Sequence, residues 1–305
     1  MTRYTEQALA SSRYCGDAGG ICVCCGTQYP GAGRHCQRCQ APLELSQTAF
    51  ARGMPPRFVS VLGESGSGKT VYLGMLMDML SKGVLGMRGI AHGSHSVAVQ
   101  NRTISALQRR RFPEKTGSDA DDWQWVHCEV TKDRRKKRPL DLVTADFAGE
   151  AIALEIEQSG AYPAIRSVVS QSVGVLLLCD SISVCRAPLN EDISALKLVS
   201  YIYDVQKANS ASRTDRRITT PLAVVFTKCD QCPEAQEDPQ RFAANNMPRL
   251  SQICQAGFSR FRFFGARIVA STATSVDEYG CSSHVALHVE PHGIAEPLDW
   301  IMKPC

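Results

Sequence analysis

Short runs of apolar residues alternate with amphipathic segments along most of the chain, beginning at Phe58. The runs consist largely of valine, leucine and isoleucine, without the strict alternation that marks a strand buried on one face. Continuous apolar strands separated by helical patterns are typical of a mostly parallel sheet with helices on both faces. The pattern therefore predicts an α/β fold with a doubly wound sheet. The segments are FVSVLG, VYLGMLMDMLSKGVL, WQWVHCEVT, LDLVTADF, SVGVLLLCD, DISALKLVSYIYDVQKA, PLAVVFTKCD, MPRLSQICQAGF and ARIVAST.

The rest of the chain divides around this domain. Residues 1–14 form an N-terminal tail, residues 15–45 a small cysteine-rich module, and residues 58–305 the α/β domain. Residues 46–57 contain Pro55-Pro56 and show no periodicity, so they are interpreted as a linker. Residues 97–112 predict an additional helix between the first helix and the second strand of the domain.

Composition excludes several broad classes. The chain is 44% hydrophobic and 21% charged, as in ordinary globular proteins, and its net charge of +4 is too small to indicate a nucleic-acid coat. The first 17 residues lack the apolar core of a secretory signal, and the run Val173–Cys179 is too short to cross a bilayer. We therefore expect a cytoplasmic protein.

The cysteines are unevenly distributed, with six of the 14 between Cys15 and Cys39. Two C-x2-C pairs separated by ten residues can place four thiolates around one Zn²⁺, and a segment so poor in apolar residues needs a metal to fold. Cys15 or Cys24 could replace one of the ligands. The predicted zinc ligands are Cys22, Cys25, Cys36 and Cys39.

The stretch GESGSGKT follows the first apolar strand and fits the pattern G-x-x-x-x-G-K-[ST] of a P-loop. In such a loop, consecutive backbone N–H groups and the N-terminus of the following helix surround a phosphate group. The predicted phosphate-binding residues are Gly63, Glu64, Ser65, Gly66, Ser67, Gly68, Lys69, Thr70 and Val71.

The base of the bound nucleotide is indicated by a second motif, Thr227-Lys228-Cys229-Asp230, which follows the strand Ala223–Phe226. A carboxylate there can accept two hydrogen bonds from the N1–H and N2–H groups of guanine, whereas adenine offers no such pair. Asp230 is therefore predicted to select guanine, with the stem of Lys228 over the base. The open alternative is an ATP-binding protein in which TKxD occurs by chance.

A third motif, Asp146-Phe-Ala-Gly149, ends another apolar strand. Asp146 is predicted to reach the Mg²⁺ shell, and the backbone N–H of Gly149 to approach the γ-phosphate. The order GxxxxGKT, DxxG and TKxD resembles the Ras-like and translation-factor class of P-loop GTPases from about Phe58 to the end of the chain. The resemblance implies GTP and GDP as ligands, Lys69 bridging the β- and γ-phosphates, and Thr70 and Asp146 holding Mg²⁺.

Further roles are implied only by the resemblance. The mobile threonine that completes the Mg²⁺ shell matches Thr116 best, because Thr103 and Thr131 sit within predicted elements; the open alternative is that Thr116 is an ordinary loop residue. The last guanine-contacting loop would fall at Ser271-Thr272-Ala273, after a strand at Ala266–Ala270, although the usual serine-alanine-lysine run is absent. Glu150 replaces the glutamine that positions water. Because a carboxylate beside the γ-phosphate is repelled, we expect slow intrinsic hydrolysis.

The basic segment Lys132–Arg138 joins two strands that in this class form an antiparallel hairpin between the switches. A solvated hairpin tip is one interpretation, and a docking site for an acidic protein is another; nucleic acid is disfavoured, because no aromatic residues interleave the charges.

The cysteine module, the extra helix, DFAGE and the C-terminal EPLDW together resemble the double-GTPase families of bacterial multi-gene conflict systems. This resemblance implies a nucleotide-controlled switch with protein partners. The alternative function is a scaffold that binds guanine nucleotide without hydrolysing it and holds partners through the zinc module and basic hairpin.

Overall fold

A computed structural model of the protein describes residues 19–30, 33–39, 41–113, 125–132, 139–145, 149–209, 217–276 and 282–303. Its largest element is a seven-stranded sheet, and two separate strand pairs accompany it. The strands are β1 (Gly20–Ile21), β2 (Gln28–Tyr29), β3 (Phe58–Gly63), β4 (Met87–His92), β5 (Trp125–Lys132), β6 (Leu140–Ala145), β7 (Gly174–Asp180), β8 (Leu222–Thr227), β9 (Phe261–Gly265), β10 (Arg267–Val276) and β11 (Ser282–His292).

The seven-stranded sheet has the order β4-β5-β6-β3-β7-β8-β9. Strands β6, β3, β7, β8 and β9 pair in parallel, whereas β5 pairs antiparallel with both β4 and β6. The prediction of a doubly wound, mostly parallel α/β sheet is confirmed, and so is the antiparallel pairing of the two strands, over Trp125–Val130 and Leu140–Ala145. The edge strand β4 was not predicted, because MRGIAH contains no apolar run and becomes a strand only by pairing with β5.

Helices cover both faces of the sheet. Leu177 of β7 packs in one apolar cluster and Leu176 in the other, as the two-residue period of a strand requires. The described helices are α1 (Leu43–Arg52), α2 (Lys69–Lys82), α3 (Gly93–Gln108), α4 (Gly149–Glu157), α5 (Pro163–Gln171), α6 (Ser181–Arg186), α7 (Pro188–Asn209), α8 (Pro233–Glu237), α9 (Pro239–Asn246), α10 (Pro248–Gly257) and α11 (Glu296–Met302). Helix α3 is the additional helix predicted at residues 97–112.

Helix α1 corrects the interpretation of residues 46–57 as an irregular linker, because it continues to Arg52. Leu45 and Ala49 are buried, and the helix ends at Gly53, whose left-handed backbone (φ 63°) lets its N–H reach the carbonyls of Ala49 and Phe50. The sequence signal was present in LELSQTAFARG: apolar residues at helical spacing, followed by glycine.

Arg52 fixes the end of α1 to the sheet. Its guanidinium donates to both carboxylate oxygens of Asp141 in β6, at 3.1 and 2.9 Å, and to Glu129 of β5 at 3.0 Å. Asp141 is only 2% exposed and also contacts His127 Nε2 at 3.1 Å. The buried carboxylate favours the helix position that keeps Arg52 beside it, because moving Arg52 would remove the guanidinium that balances this charge.

Strands β10 and β11 correct the end of the predicted sheet. The sequence places its last strand at Ala266–Ala270, but the strand that pairs with β8 is β9, and β10 instead forms a separate antiparallel hairpin with β11. The run FRFFG is not one of the continuous apolar runs, although its aromatic residues and the polar Arg262 suit a half-buried strand at the sheet edge. In the structure, Phe261 and Arg262 pair with Leu222 and Ala223, so backbone register decides the assignment.

Candidate functional site

The P-loop connects the carboxyl end of β3 to α2. Gly66 and Gly68 adopt left-handed conformations (φ 81° and 79°), which side chains other than glycine rarely tolerate, and Gly68 is the N-cap of α2. Lys69 Nζ donates to the carbonyls of Gly63 and Glu64 at 2.7 and 2.8 Å. The loop therefore curls around its own lysine at a helix N-terminus, an arrangement that favours a phosphate group.

The Thr227–Asp230 segment is bonded directly to the P-loop. Thr227 Oγ1 donates to the carbonyl of Ser67 at 2.8 Å and to that of Cys179 at 3.2 Å. Lys228 has a left-handed backbone (φ 58°), and its Nζ contacts Asp180 Oδ2 at 2.5 Å. A non-glycine residue held in this conformation costs about 1 kcal/mol or more and is typical of ligand-binding segments.

A cavity of about 330 Å³ joins these two segments, a volume within the range of small-molecule sites. Asp230 lines it, and burial raises the pKa of this carboxyl above its ordinary value, although Lys228 and Arg267 oppose the shift. The cavity is lined by Gly68, Val71, Tyr72, Phe112, Asp180, Ile182, Ser183, Arg186, Thr227, Lys228, Asp230, Gln231, Ala266, Ile268, Val269 and Ile294. Sequence reasoning did not identify Phe112 or the apolar wall of Ile182, Ile268 and Val269.

The four predicted zinc ligands lie together, with Cys22, Cys25, Cys36 and Cys39 placing their sulfurs within 4.8 Å of one another. The Sγ–Sγ distances are 3.7 Å for Cys22–Cys39 and 3.6 Å for Cys25–Cys36. Four sulfurs at about 2.3 Å from a tetrahedral Zn²⁺ stand about 3.8 Å apart. The donor set and its spacing therefore fit zinc. Cys24 is buried but outside this quartet, and Cys15 lies outside the described residues.

A protein-family model described as Double-GTPase 2 matches residues 57–285. The chain belongs to the Double-GTPase 2 family. The match covers the P-loop, Asp146, Gly149 and the TKCD segment, whereas the cysteine module and α1 precede it. The resemblance to double GTPases drawn from the sequence is thus confirmed.

Solved structures similar to this Double-GTPase 2 chain are distant. The ADP-ribosylation-factor-like GTPase SAR1 of Encephalitozoon cuniculi, in complex with GDP, is 13% identical, with 69% of this chain and 68% of that chain covered at a TM-score of 0.33. The SRb-GTP/SRX signal recognition particle receptor complex of Chaetomium thermophilum gives 12% identity, 71% and 92% coverage and a TM-score of 0.39. The Ski7 GTPase-like domain of S. cerevisiae, bound to GDP and inorganic phosphate, gives 15% identity, 72% and 45% coverage and a TM-score of 0.40.

No curated protein matches the chain in sequence. Within the described residues, no helix has the length and apolar character needed to cross a membrane.

The loop predicted at Ser271-Thr272-Ala273 is not found, because these residues lie inside β10 and pair with β11. The segment beside Asp230 is instead the one following β9. Ala266 N donates to the carbonyl of Phe226 at 2.7 Å and its carbonyl accepts from Cys229 N at 3.1 Å. The structure therefore does not form a loop at Ser271-Thr272-Ala273, and it places Ala266 next to the TKCD segment. Because the sequence analysis missed β9, it assigned the strand at Ala266–Ala270 to the main sheet and placed the loop after that strand.

Several of the remaining predicted residues lie outside the part of the chain that the structure describes. Thr116 and Asp146 fall outside the described residues, and so does all of the basic segment except Lys132, whose Nζ pairs with Asp299 of α11. Gly149 and Glu150 begin α4. The two poorer alternatives to Thr116 lie within elements, as expected: Thr103 is buried in α3 and Thr131 belongs to β5.

The cysteine module of this Double-GTPase 2 protein contacts the helix that follows α4. The carbonyl of Cys24 accepts hydrogen bonds from Ser167 Oγ and, at 2.8 Å, from Gln171 Nε2, both in α5. Val23 N donates to Ser46 Oγ of α1 at 3.1 Å. Because α4 begins at Gly149, the module is one helix away from the DxxG segment, a relation that the sequence did not disclose.

Proposed function

We propose that this protein binds GTP and GDP through the P-loop and Asp230, hydrolyses GTP slowly with Mg²⁺, and acts as a molecular switch for protein partners. The observation that carries the proposal is the cavity that Gly68 and Asp230 both line, between two segments that Thr227 bonds together. Membership of a GTPase family supports the nucleotide and the reaction class.

Guanine is the base that suits Asp230. A poorly hydrated carboxylate is strongly stabilised by hydrogen bonds from two N–H donors on one edge of guanine. Adenine offers no such pair of donors and leaves the carboxylate unpaired. The stem of Lys228 lies across the P-loop, since its Cε is 4.0 Å from the position a Cβ on Gly68 would take. Phe112 and Ile268 supply apolar surface for the purine elsewhere in the cavity.

The phosphates would lie at the N-terminus of α2, where Lys69 balances their charge. The chain also fits a magnesium ion at this end of the cavity. Strands β3 and β6 are parallel neighbours, with Ser60 opposite Val143, so β6 ends beside the P-loop at Ala145, one residue before Asp146. Asp146 and Thr70 would hold the Mg²⁺, and the ion would neutralise charge on the β- and γ-phosphates.

Slow hydrolysis is proposed because Glu150, rather than a glutamine, follows Gly149. A carboxylate near the γ-phosphate raises the electrostatic cost of orienting water there. A partner that supplies an arginine would remove this cost. We propose that such partners belong to the same bacterial multi-protein system, and that the zinc module transmits the state of the α4 segment to them through α5.

Base selection is tested by calorimetry with GTP, ATP and xanthosine triphosphate. We expect wild-type protein to prefer GTP over ATP by several powers of ten and Asp230→Asn to prefer xanthosine triphosphate, because an amide matches the xanthine edge. Glu237→Gln, which removes an exposed carboxylate of α8 outside the cavity, is the matched control. Equal affinity for ATP and GTP in the wild type would refute guanine selection.

Hydrolysis is tested by phosphate release with Mg²⁺, comparing wild type with Lys69→Ala and Glu150→Gln. We expect slow release from wild type, background release from Lys69→Ala, and faster release from Glu150→Gln. If wild-type release stays at the Lys69→Ala background while GTP binds tightly, the protein is the non-hydrolysing scaffold.

A further inference from the structure

Two cysteines outside the zinc cluster lie in contact beside the cavity. Cys185 of α6 and Cys232, two residues after Asp230, have their sulfurs 3.1 Å apart. Cys185 is exposed, whereas Cys232 is buried. The pair is separated by 47 residues along the chain, so only the tertiary fold brings the two thiols together.

The two thiols lie on elements that form different walls of the cavity, although neither thiol lines it. Helix α6 contributes Ile182 and Arg186 to its lining, and the loop after β8 contributes Asp230 and Gln231. Disulfide formation requires the sulfurs to approach to about 2.05 Å, a further movement of about 1 Å that exposed Cys185 can make by side-chain rotation. A covalent bond at this point would tie α6 to the base-binding loop.

We propose that Cys185 and Cys232 form a reversible disulfide in the presence of a peroxide, and that this bond slows the release of guanine nucleotide. The first half of the proposal stands on the geometry alone, and the second rests on the proposed function.

The chemistry balances with hydrogen peroxide as the oxidant. The Cys185 thiolate attacks one peroxide oxygen, an S–O bond forms as the O–O bond breaks, and hydroxide leaves to become water; Cys185 is now a sulfenic acid. The sulfur of Cys232 then attacks Cys185 Sγ, an S–S bond forms as the S–O bond breaks, and hydroxide leaves with the thiol proton as a second water. Two thiols are oxidised and one peroxide is reduced.

The surroundings of Cys185 set the rate. Although the residue is exposed overall, the partial burial of its sulfur, the neighbouring Cys232 thiol and the charges of Glu234 and Asp180 raise the pKa of Cys185 above its ordinary value. Thiolate is therefore scarce at neutral pH, and oxidation is expected to accelerate as the pH rises from 7 to 9.

The test uses full-length, zinc-loaded protein treated with hydrogen peroxide at pH 8 and digested without reduction. Mass spectrometry is expected to find the two peptides joined, with a loss of two hydrogens that dithiothreitol reverses. Fragmentation must place the bond at Cys185 rather than Cys179, and at Cys232 rather than Cys229. Cys185→Ser, a change at an exposed position, is expected to prevent the link, and Cys232→Ser is the second variant.

Release of a fluorescent GDP analogue is measured on the same samples. Oxidised wild type is expected to release it at least tenfold more slowly than reduced wild type, and oxidised Cys185→Ser no more slowly than its reduced form. Absence of the linked peptides, or links to zinc-cluster cysteines instead, would overturn the disulfide. A correct link with unchanged release would overturn its effect on the nucleotide. Because the mass measurement needs no nucleotide, failure of guanine binding leaves the disulfide test intact.

Discussion

Replacement of Arg52 by alanine should destabilise the whole α/β domain, although Arg52 lies before the first strand of its sheet. The substitution removes the bidentate contact with Asp141 and the contact with Glu129, and it leaves Asp141 buried at 2% exposure. Breaking a buried ion pair by deleting one partner costs about 3–5 kcal/mol, because the remaining charge is neither hydrated nor paired.

The structure places Arg52→Ala at the lower end of that range. Asp141 keeps two other donors, His127 Nε2 and the backbone N–H of Arg57, both at 3.1 Å. We therefore expect the free energy of unfolding to fall by about 3 kcal/mol. Asp141→Asn combined with Arg52→Met should recover part of the loss, since neither residue of the buried pair is then charged.

Urea unfolding followed by tryptophan fluorescence measures this change at constant zinc. Lys82→Ala is the matched control, because Lys82 forms an exposed i,i+4 ion pair with Asp78, worth at most about 0.5 kcal/mol. If Arg52→Ala destabilises the protein no more than Lys82→Ala does, the buried contact does not hold α1, and the reasoning fails.

Two further predictions concern acid and metal. Burial would raise the pKa of Asp141, but hydrogen bonds from His127 and Arg52 outweigh it and lower the pKa to about 2. Its charged form therefore stabilises the fold above about pH 4, and this contribution of about 2 kcal/mol is lost as the pH falls towards 2. The free energies of unfolding of wild type and Asp141→Asn should therefore converge as the pH falls from 4 to 2. A constant difference between the two proteins over this range would contradict the assignment. Metal analysis should find one zinc per chain in wild type and in Cys24→Ser, and a large loss of zinc in Cys36→Ser. Loss of zinc in Cys24→Ser together with full zinc in Cys36→Ser would show that the predicted ligand set is wrong.

The sequence by itself determined the features whose chemistry is local. The glycines of the P-loop, the C-x2-C pairs and the TKCD segment each act within a few residues, so their spacing along the chain is enough to identify them. The continuous apolar strands likewise indicated a sheet buried on both faces, because an apolar strand can be stable only where both of its sides are covered.

Only the tertiary structure decided the features that depend on pairing between distant segments. Strand β4 exists because its backbone pairs with β5, and Ala266 lies beside the TKCD segment because β9, not β10, pairs with β8. The contact of Arg52 with Asp141 and that of Cys185 with Cys232 also cross long stretches of chain. No local pattern encodes such contacts, because their energy comes from partners that the fold alone brings within reach.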